Sequence, residues 1–203
     1  MDIAPEKSRV AMTGIILAGG RSRRMGENKA FAEIGGVRLI DRTIALFRDL
    51  FNEIILVTNE PSDYLDLDAI IVTDIIPGKG ALGGMYTGLF FARNERAFAA
   101  ACDMPFLNRS FITWMMENSG NCDVLVPAPA DGLQPLHAVY SRRCLPAIKK
   151  LIDDDRLQIR LFYKRCRTVE IPESVLRSFD PEGTMFLNIN SQDDLEQARL
   201  RLT

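Results

Sequence analysis

The chain has 203 residues, 47% hydrophobic and 26% charged, with a net charge of −2. Those are globular values at a length that suits one α/β domain, and the near-neutral charge excludes a broad basic face for nucleic acid. One histidine and four cysteines without a C-x-x-C pair exclude a zinc knuckle and a multi-histidine metal site, and speak against Ser-His-Asp catalysis.

In chain order, residues 1–12 carry Asp2 and Glu6 and no apolar stretch long enough for export, so they are expected to be a flexible tail. Cytoplasmic residence is expected, since no apolar run approaches a membrane span. Ile15 to Ala18 is an apolar run before a glycine pair, which predicts a buried parallel strand. Gly19 and Gly20 allow a sharp turn and close approach of another molecule. Arg21, Arg23, Arg24 and Lys29 follow. A strand, a glycine turn and clustered cations suit a polyphosphate, whose oxygens backbone N–H groups can cradle. The segment is neither a Walker A loop, because Gly26 is followed by Glu27-Asn28-Lys29, nor a G-x-G-x-x-G fingerprint.

Ala30 to Ile34 reads as an apolar link, and Gly35-Gly36 as a turn. Ile40, Ile44, Phe47 and Phe51 predict an amphipathic helix over 39–51. Strands are predicted over 54–58 and 69–73, the first followed by Asn59 and the second by Asp74. A glycine-rich connection from Ile75 to Gly84 precedes a helix over 85–94. A fourth strand over 97–102 delivers Asp103 at its carboxyl end, where open α/β sheets bind ligands. Asp103 there is a metal ligand or a helix cap. A helix over 111–118, with Ser110 as its cap, leads to strands over 123–127 and 135–140, separated by a loop over 128–134. His137 alternates with apolar neighbours and reads as a hydrogen-bonded structural histidine rather than a catalytic one.

Helices are predicted over 142–152 and 157–165. Asp153-Asp154-Asp155 between them reads as a solvated turn and helix N-terminus. Lys164, Arg165 and Arg167 form a small basic patch, read as a solvated face. An outer strand spans 168–171. Asn188 and Asn190 fall on one side of an extended segment, either facing the site or forming a turn. Ser191 and Asp194 make a capping box for a final helix ending near Leu202. Alternating strands and helices predict a three-layer α/β/α, Rossmann-like domain over 13–203 with a mostly parallel sheet.

LAGGRSRRMGENKA resembles the L-A-G-G-x-S-x-R-M-G-x-x-K signature of nucleotidyltransferases with the glycosyltransferase-A-like fold, and the match is nearest to the molybdenum cofactor guanylyltransferases. Three further segments are similar to that family. The 77–84 loop matches P-G-x-G-P-L-x-G except at Ala81. Cys102 to Pro105 matches C-D-x-P. Phe186 to Leu195 matches F-x-N-x-N-T/S-P-E-D-L except at Gln192. Gln134-Pro135 stands where many members have His-Pro.

The resemblance implies GTP as donor, molybdopterin or molybdenum-molybdopterin as acceptor, and Mg²⁺ as cofactor. It implies cofactor-biosynthesis proteins and molybdoenzyme chaperones as further partners, with no nucleic acid and no membrane. It places Leu17, Ala18, Gly19, Gly20, Lys29, Asn59, Asp74 and Asp103 on the nucleotide. Lys29, Arg24 and Asp103 become the catalytic groups, Asp103 the metal ligand, and Asn188 and Asn190 the acceptor side. A sibling transferase using CTP or a sugar-phosphate acceptor would share the same phosphate machinery.

Overall fold

The computed structural model describes residues 11–19 and 28–201. Gly20, Arg21, Arg23 and Arg24 of the expected phosphate turn lie outside the described residues, as does most of the expected tail. Met12, at the end of that tail, is wholly buried, so packing starts one residue earlier than expected.

Continuous apolar runs become the central strands, because a strand covered on both faces has no solvent side to make polar. β1 (Thr13–Leu17) pairs in parallel with β4 (Glu53–Val57) and with β6 (Arg96–Ala101), Ile15 lying opposite Ile55 and Ala99. β5 (Ile70–Val72) extends this set as an edge. β8 (His137–Ser141) then pairs antiparallel to β6. β7 (Val124–Ala128) pairs antiparallel to β8, and β9 (Thr168–Pro172) adds in parallel to β7. The seven-stranded order is β5-β4-β1-β6-β8-β7-β9. The sheet is therefore mostly parallel as expected, with β8 alone reversed. A two-stranded hairpin, β2 (Glu33–Ile34) and β3 (Val37–Arg38), stands apart, turning at Gly35-Gly36.

Helices cover both faces. On one face α1 (Leu39–Leu50), α3 (Arg109–Asn118) and α5 (Glu173–Phe179) pack on Ile16, Leu56, Phe98 and Leu125. On the other, α2 (Gly80–Phe91), α4 (Leu145–Asp153) and a 3-10 segment (Ile159–Arg165) pack on Ile15, Val57, Ala99 and Val126. Neighbouring residues of one strand thus serve opposite cores, as the pleat requires. α6 (Gln192–Arg201) closes a third cluster with Ile34, Leu39 and Ile189. Its start carries the expected capping box: Asp194 N donates to Ser191 Oγ at 3.1 Å, and Ser191 N to Asp194 Oδ2 at 2.8 Å.

Several local expectations are corrected. α2 begins at Gly80, not Met85, so the glycine-rich connection is short. Glycine is a poor helix former, but here it lets the helix approach the sheet: a Cβ on Gly88 would stand 2.6 Å from Ile15 Cγ2. Asn108, not Ser110, caps α3, accepting from Phe111 N at 3.0 Å. Asp153 ends α4, so the acidic triplet follows a helix C-terminus rather than opening a helix. Lys149 Nζ offsets it, 2.6 Å from Asp153 Oδ1. The 157–165 helix is of the 3-10 type and starts at Ile159. The 30–34 link is a 3-10 turn (Lys29–Phe31) running into β2. α5 has no counterpart among the predicted elements.

Candidate active site

The carboxyl ends of β1, β4, β5 and β6 form one rim. The end of β1 is clamped from both sides: Ala18 N donates to Val57 O at 2.9 Å, and Cys102 N to Leu17 O at 3.2 Å. That leaves Ala18 half-buried and Gly19 exposed at the lip. Asn59 follows β4 and Asp74 follows β5, and Asn59 Nδ2 donates to Asp74 Oδ2 at 3.1 Å. The other oxygen, Asp74 Oδ1, is buried with no partner among the described residues. A Cβ on Gly84, near the start of α2, would stand 3.7 Å from that oxygen, and one on Gly19 would stand 3.9 Å from Asn59 Nδ2. Leu17, Ala18, Gly19, Asn59 and Asp74 therefore stand together along this rim, against the N-terminal turn of α2. Lys79, just before α2, is held by Asp155 at 2.8 Å.

Asp103 stands on the same rim, two residues past β6. Its Oδ1 is also buried without a partner among the described residues. Burial pushes its carboxyl above the usual carboxylate range, while the Lys29 ammonium pulls it back down. The neighbouring Cys102 thiol is pushed up to about 12 by burial, again against Lys29. Lys29 is thus an electrostatic neighbour of both. Its Nζ donates to Asn190 Oδ1 at 3.2 Å, and Ile189 N donates to the Asp103 carbonyl at 2.9 Å. Asp194 Oδ2 accepts from Asn190 N at 2.8 Å, and its carboxyl is held low by that bond, by Ser191 and by the Lys29 charge. Residues 29, 103 and 190, remote in sequence, meet at one place.

Asn188 is exposed on the same side as Asn190, with Ile189 buried between them. Its amide donates to the Phe186 carbonyl, two residues back, at 3.3 Å. His137 lies behind the site. It is fully buried among Phe98, Phe111 and Phe186, whose ring centroids stand 5.2, 5.7 and 5.1 Å away. Neither ring nitrogen has a hydrogen-bond partner among the described residues, so the expectation of a hydrogen-bonded histidine is corrected. Burial lowers its pKa to about 3, which leaves the ring neutral.

Sequence reasoning missed Asn28. It caps the turn that carries Lys29, accepting from Ala30 N at 3.2 Å. An asparagine directly before a short helical turn is the available signal.

A divalent cation fits the donor set in one respect: Asp103 offers a buried oxygen that nothing else satisfies among the described residues. No group of three or more His, Cys, Asp or Glu side chains among the described residues is arranged to hold a metal ion. Such an ion would take one carboxylate here and complete its shell from substrate oxygens and water, as Mg²⁺ commonly does.

Comparison with known proteins gives the family and the fold. Residues 14–169 match the family model described as MobA-like NTP transferase domain. A molybdenum cofactor guanylyltransferase of Desulfosudis oleivorans is 42% identical over 190 residues, covering 93% of this chain and 94% of the relative. The solved molybdopterin-guanine dinucleotide biosynthesis protein A of Archaeoglobus fulgidus superposes with a TM-score of 0.82 at 27% identity, over 94% of this chain and 98% of that one. A 4-diphosphocytidyl-2C-methyl-D-erythritol synthase of Anaerococcus prevotii, 14% identical, shares the fold with a TM-score of 0.72 over 95% of this chain and 98% of that one. By these relatives the chain belongs to the MobA-like NTP transferases, in the molybdenum cofactor guanylyltransferase family, and is a nucleotidyltransferase.

Proposed function

We propose that the chain transfers GMP from GTP to the phosphate of molybdenum-bearing molybdopterin, releasing pyrophosphate and forming the guanine dinucleotide form of the cofactor. The meeting of Lys29, Asp103 and Asn190 at one edge of the sheet supports this most directly. In such a transfer an acceptor phosphate oxygen attacks the α-phosphorus, and the bond to the β-phosphate bridging oxygen breaks. The attacking phosphate is already ionised near neutral pH, so the burial and neutrality of the only histidine fit the chemistry. Alignment and offset of charge carry the rate.

Leu17, Ala18, Gly19, Asn59 and Asp74 contact the nucleotide along the rim. Lys29 offsets triphosphate charge, joined by Gly20 and Arg24 from the segment outside the described residues. Asp103 would hold the magnesium ion, which would supply positive charge to offset the phosphate oxygens. Asn190, already on Lys29, and Asn188 beside it face the acceptor. The working unit is residues 13–203 as one cytoplasmic domain that meets cofactor-biosynthesis proteins and molybdoenzyme chaperones.

The test measures pyrophosphate release from GTP, CTP, ATP and UTP, each with Mg²⁺ and molybdenum-bearing molybdopterin. GTP should be preferred, with the guanine dinucleotide as product by mass. Preference for CTP, or release only with a sugar-phosphate acceptor, would overturn the proposal in favour of the sibling transferases.

A further inference from the structure

Lys29 opens a turn of only three residues, a poor anchor for a side chain that must hold its place. Its support comes from Asn28. One end of the Asn28 amide accepts from Ala30 N at 3.2 Å, and the other donates to the Tyr64 hydroxyl at 2.9 Å. Tyr64 is fully buried, and its ring stacks on Phe31 with centroids 5.1 Å apart. Arg38 lies over the other partner of that stack, 5.4 Å from the Phe31 centroid, and bonds Asp66 at 2.6 Å. The turn carrying Tyr64 (Pro61–Tyr64) is thereby braced against the start of α1. Burial pushes the phenol up to about 12, so the hydroxyl keeps its proton at working pH. Tyr64 is also an electrostatic neighbour of Cys102, which adjoins Asp103. A buried hydroxyl in the segment after β4 therefore reaches, through the Asn28 amide, the turn that carries Lys29.

We infer that Tyr64 is a positioning residue for nucleotidyl transfer: its hydroxyl fixes the Asn28 amide, and Asn28 sets where the Lys29 ammonium stands beside Asp103. The inference rests on the proposed role of Lys29. Without the hydroxyl the amide is free to turn, the Ala30 cap loosens, and Lys29 spends less time where triphosphate charge develops. A tyrosine that merely filled the core would act through its ring, which Tyr64→Phe retains.

The experiment compares wild type with Tyr64→Phe, Asn28→Ala and the double variant, using GTP, Mg²⁺ and molybdenum-bearing molybdopterin. Tyr64→Phe should lower kcat about tenfold, the weight of one lost hydrogen bond, with the KM for GTP little changed and the melting temperature near wild type. The double variant should be no worse than Asn28→Ala alone. Wild-type kcat in Tyr64→Phe, or losses that simply multiply in the double variant, would overturn the inference. If Tyr64→Phe fails to fold, Asn28→Ala decides alone, and a normal kcat there overturns it.

A wild type that releases no pyrophosphate from GTP refutes the proposed function instead. The rate of Lys29 acylation by an N-hydroxysuccinimide ester, read by peptide mass spectrometry, then still answers. A severalfold change in Tyr64→Phe supports the link, and an unchanged rate overturns it.

Discussion

Acidification should destabilise this fold through one residue, His137. It is the chain's only histidine, so no other imidazole contributes. Folded, it is wholly buried beside three phenylalanines and has its pKa lowered to about 3 by desolvation, against 6.5 when free. The native state therefore excludes a proton that the unfolded chain binds as pH drops below 6.5. Stability is unaffected above that value, falls through the window down to about 3, and levels off below it. Between the two values the slope is about 1.4 kcal/mol per pH unit, so passing from pH 7.5 to pH 5 costs about 2 kcal/mol. The assay is urea unfolding of wild type and His137→Leu at both pH values. Carboxylates titrate equally in both proteins and cancel in the difference. The variant should escape about 2 kcal/mol of the acid loss. At pH 7.5 it should match or exceed wild type, because it removes a buried donor that has no acceptor among the described residues. Equal acid losses in the two proteins would refute the reasoning, since the imidazole would then be reaching its proton without unfolding.

Asp103→Asn should abolish transfer, by about a thousandfold or more, while leaving the melting temperature level or higher, because it removes a carboxylate whose buried oxygen lacks a partner among the described residues. Kinetics and calorimetry on one sample check both halves. Lys29→Ala should likewise abolish transfer and keep the fold, and near-normal turnover would remove that residue from the mechanism. Gly14→Ala should cost about 1–3 kcal/mol in urea unfolding, since overpacking is hard to relieve there. Its Cβ would lie 2.5 Å from Phe47 Cδ2 and 2.6 Å from Phe51 Cδ2. Chelation of divalent ions should stop pyrophosphate release, and added Mg²⁺ should restore it.

What could be read from residues alone divides along physical lines. The strands around Ile15, Ile55 and Ala99 were legible because burial on both faces leaves an unbroken apolar run. Asp103 was legible because the end of such a run is where ligands sit. The start of α2 was not, because local propensity speaks against glycine while the benefit of Gly88 lies in a side chain, Ile15, from another element. Alternation marked the strand around Val139 but not its direction, which depends on the path of the preceding loop. The seven residues of α5 are too few for a helical period to show. Among the site residues, Asn59 and Asp74 are legible only one at a time, and it takes the fold to bring the amide of one onto the carboxylate of the other. The burial of His137 followed from its apolar neighbours, whereas its lack of partners among the described residues depends on where three distant phenylalanine rings come to rest.

The reversal of β8 has a consequence for how such an enzyme can change. Because that strand runs against its neighbours, the 129–136 connection returns to the same edge that Asp103 occupies instead of crossing to the far end. The residues at that edge up to 103 thus come from the parallel strands, and the later ones from the part of the sheet beyond the reversed strand. On the proposed reading, substitutions among the later residues leave the parallel ladder beneath the earlier ones untouched, so grip on the donor and choice of recipient would be able to change separately.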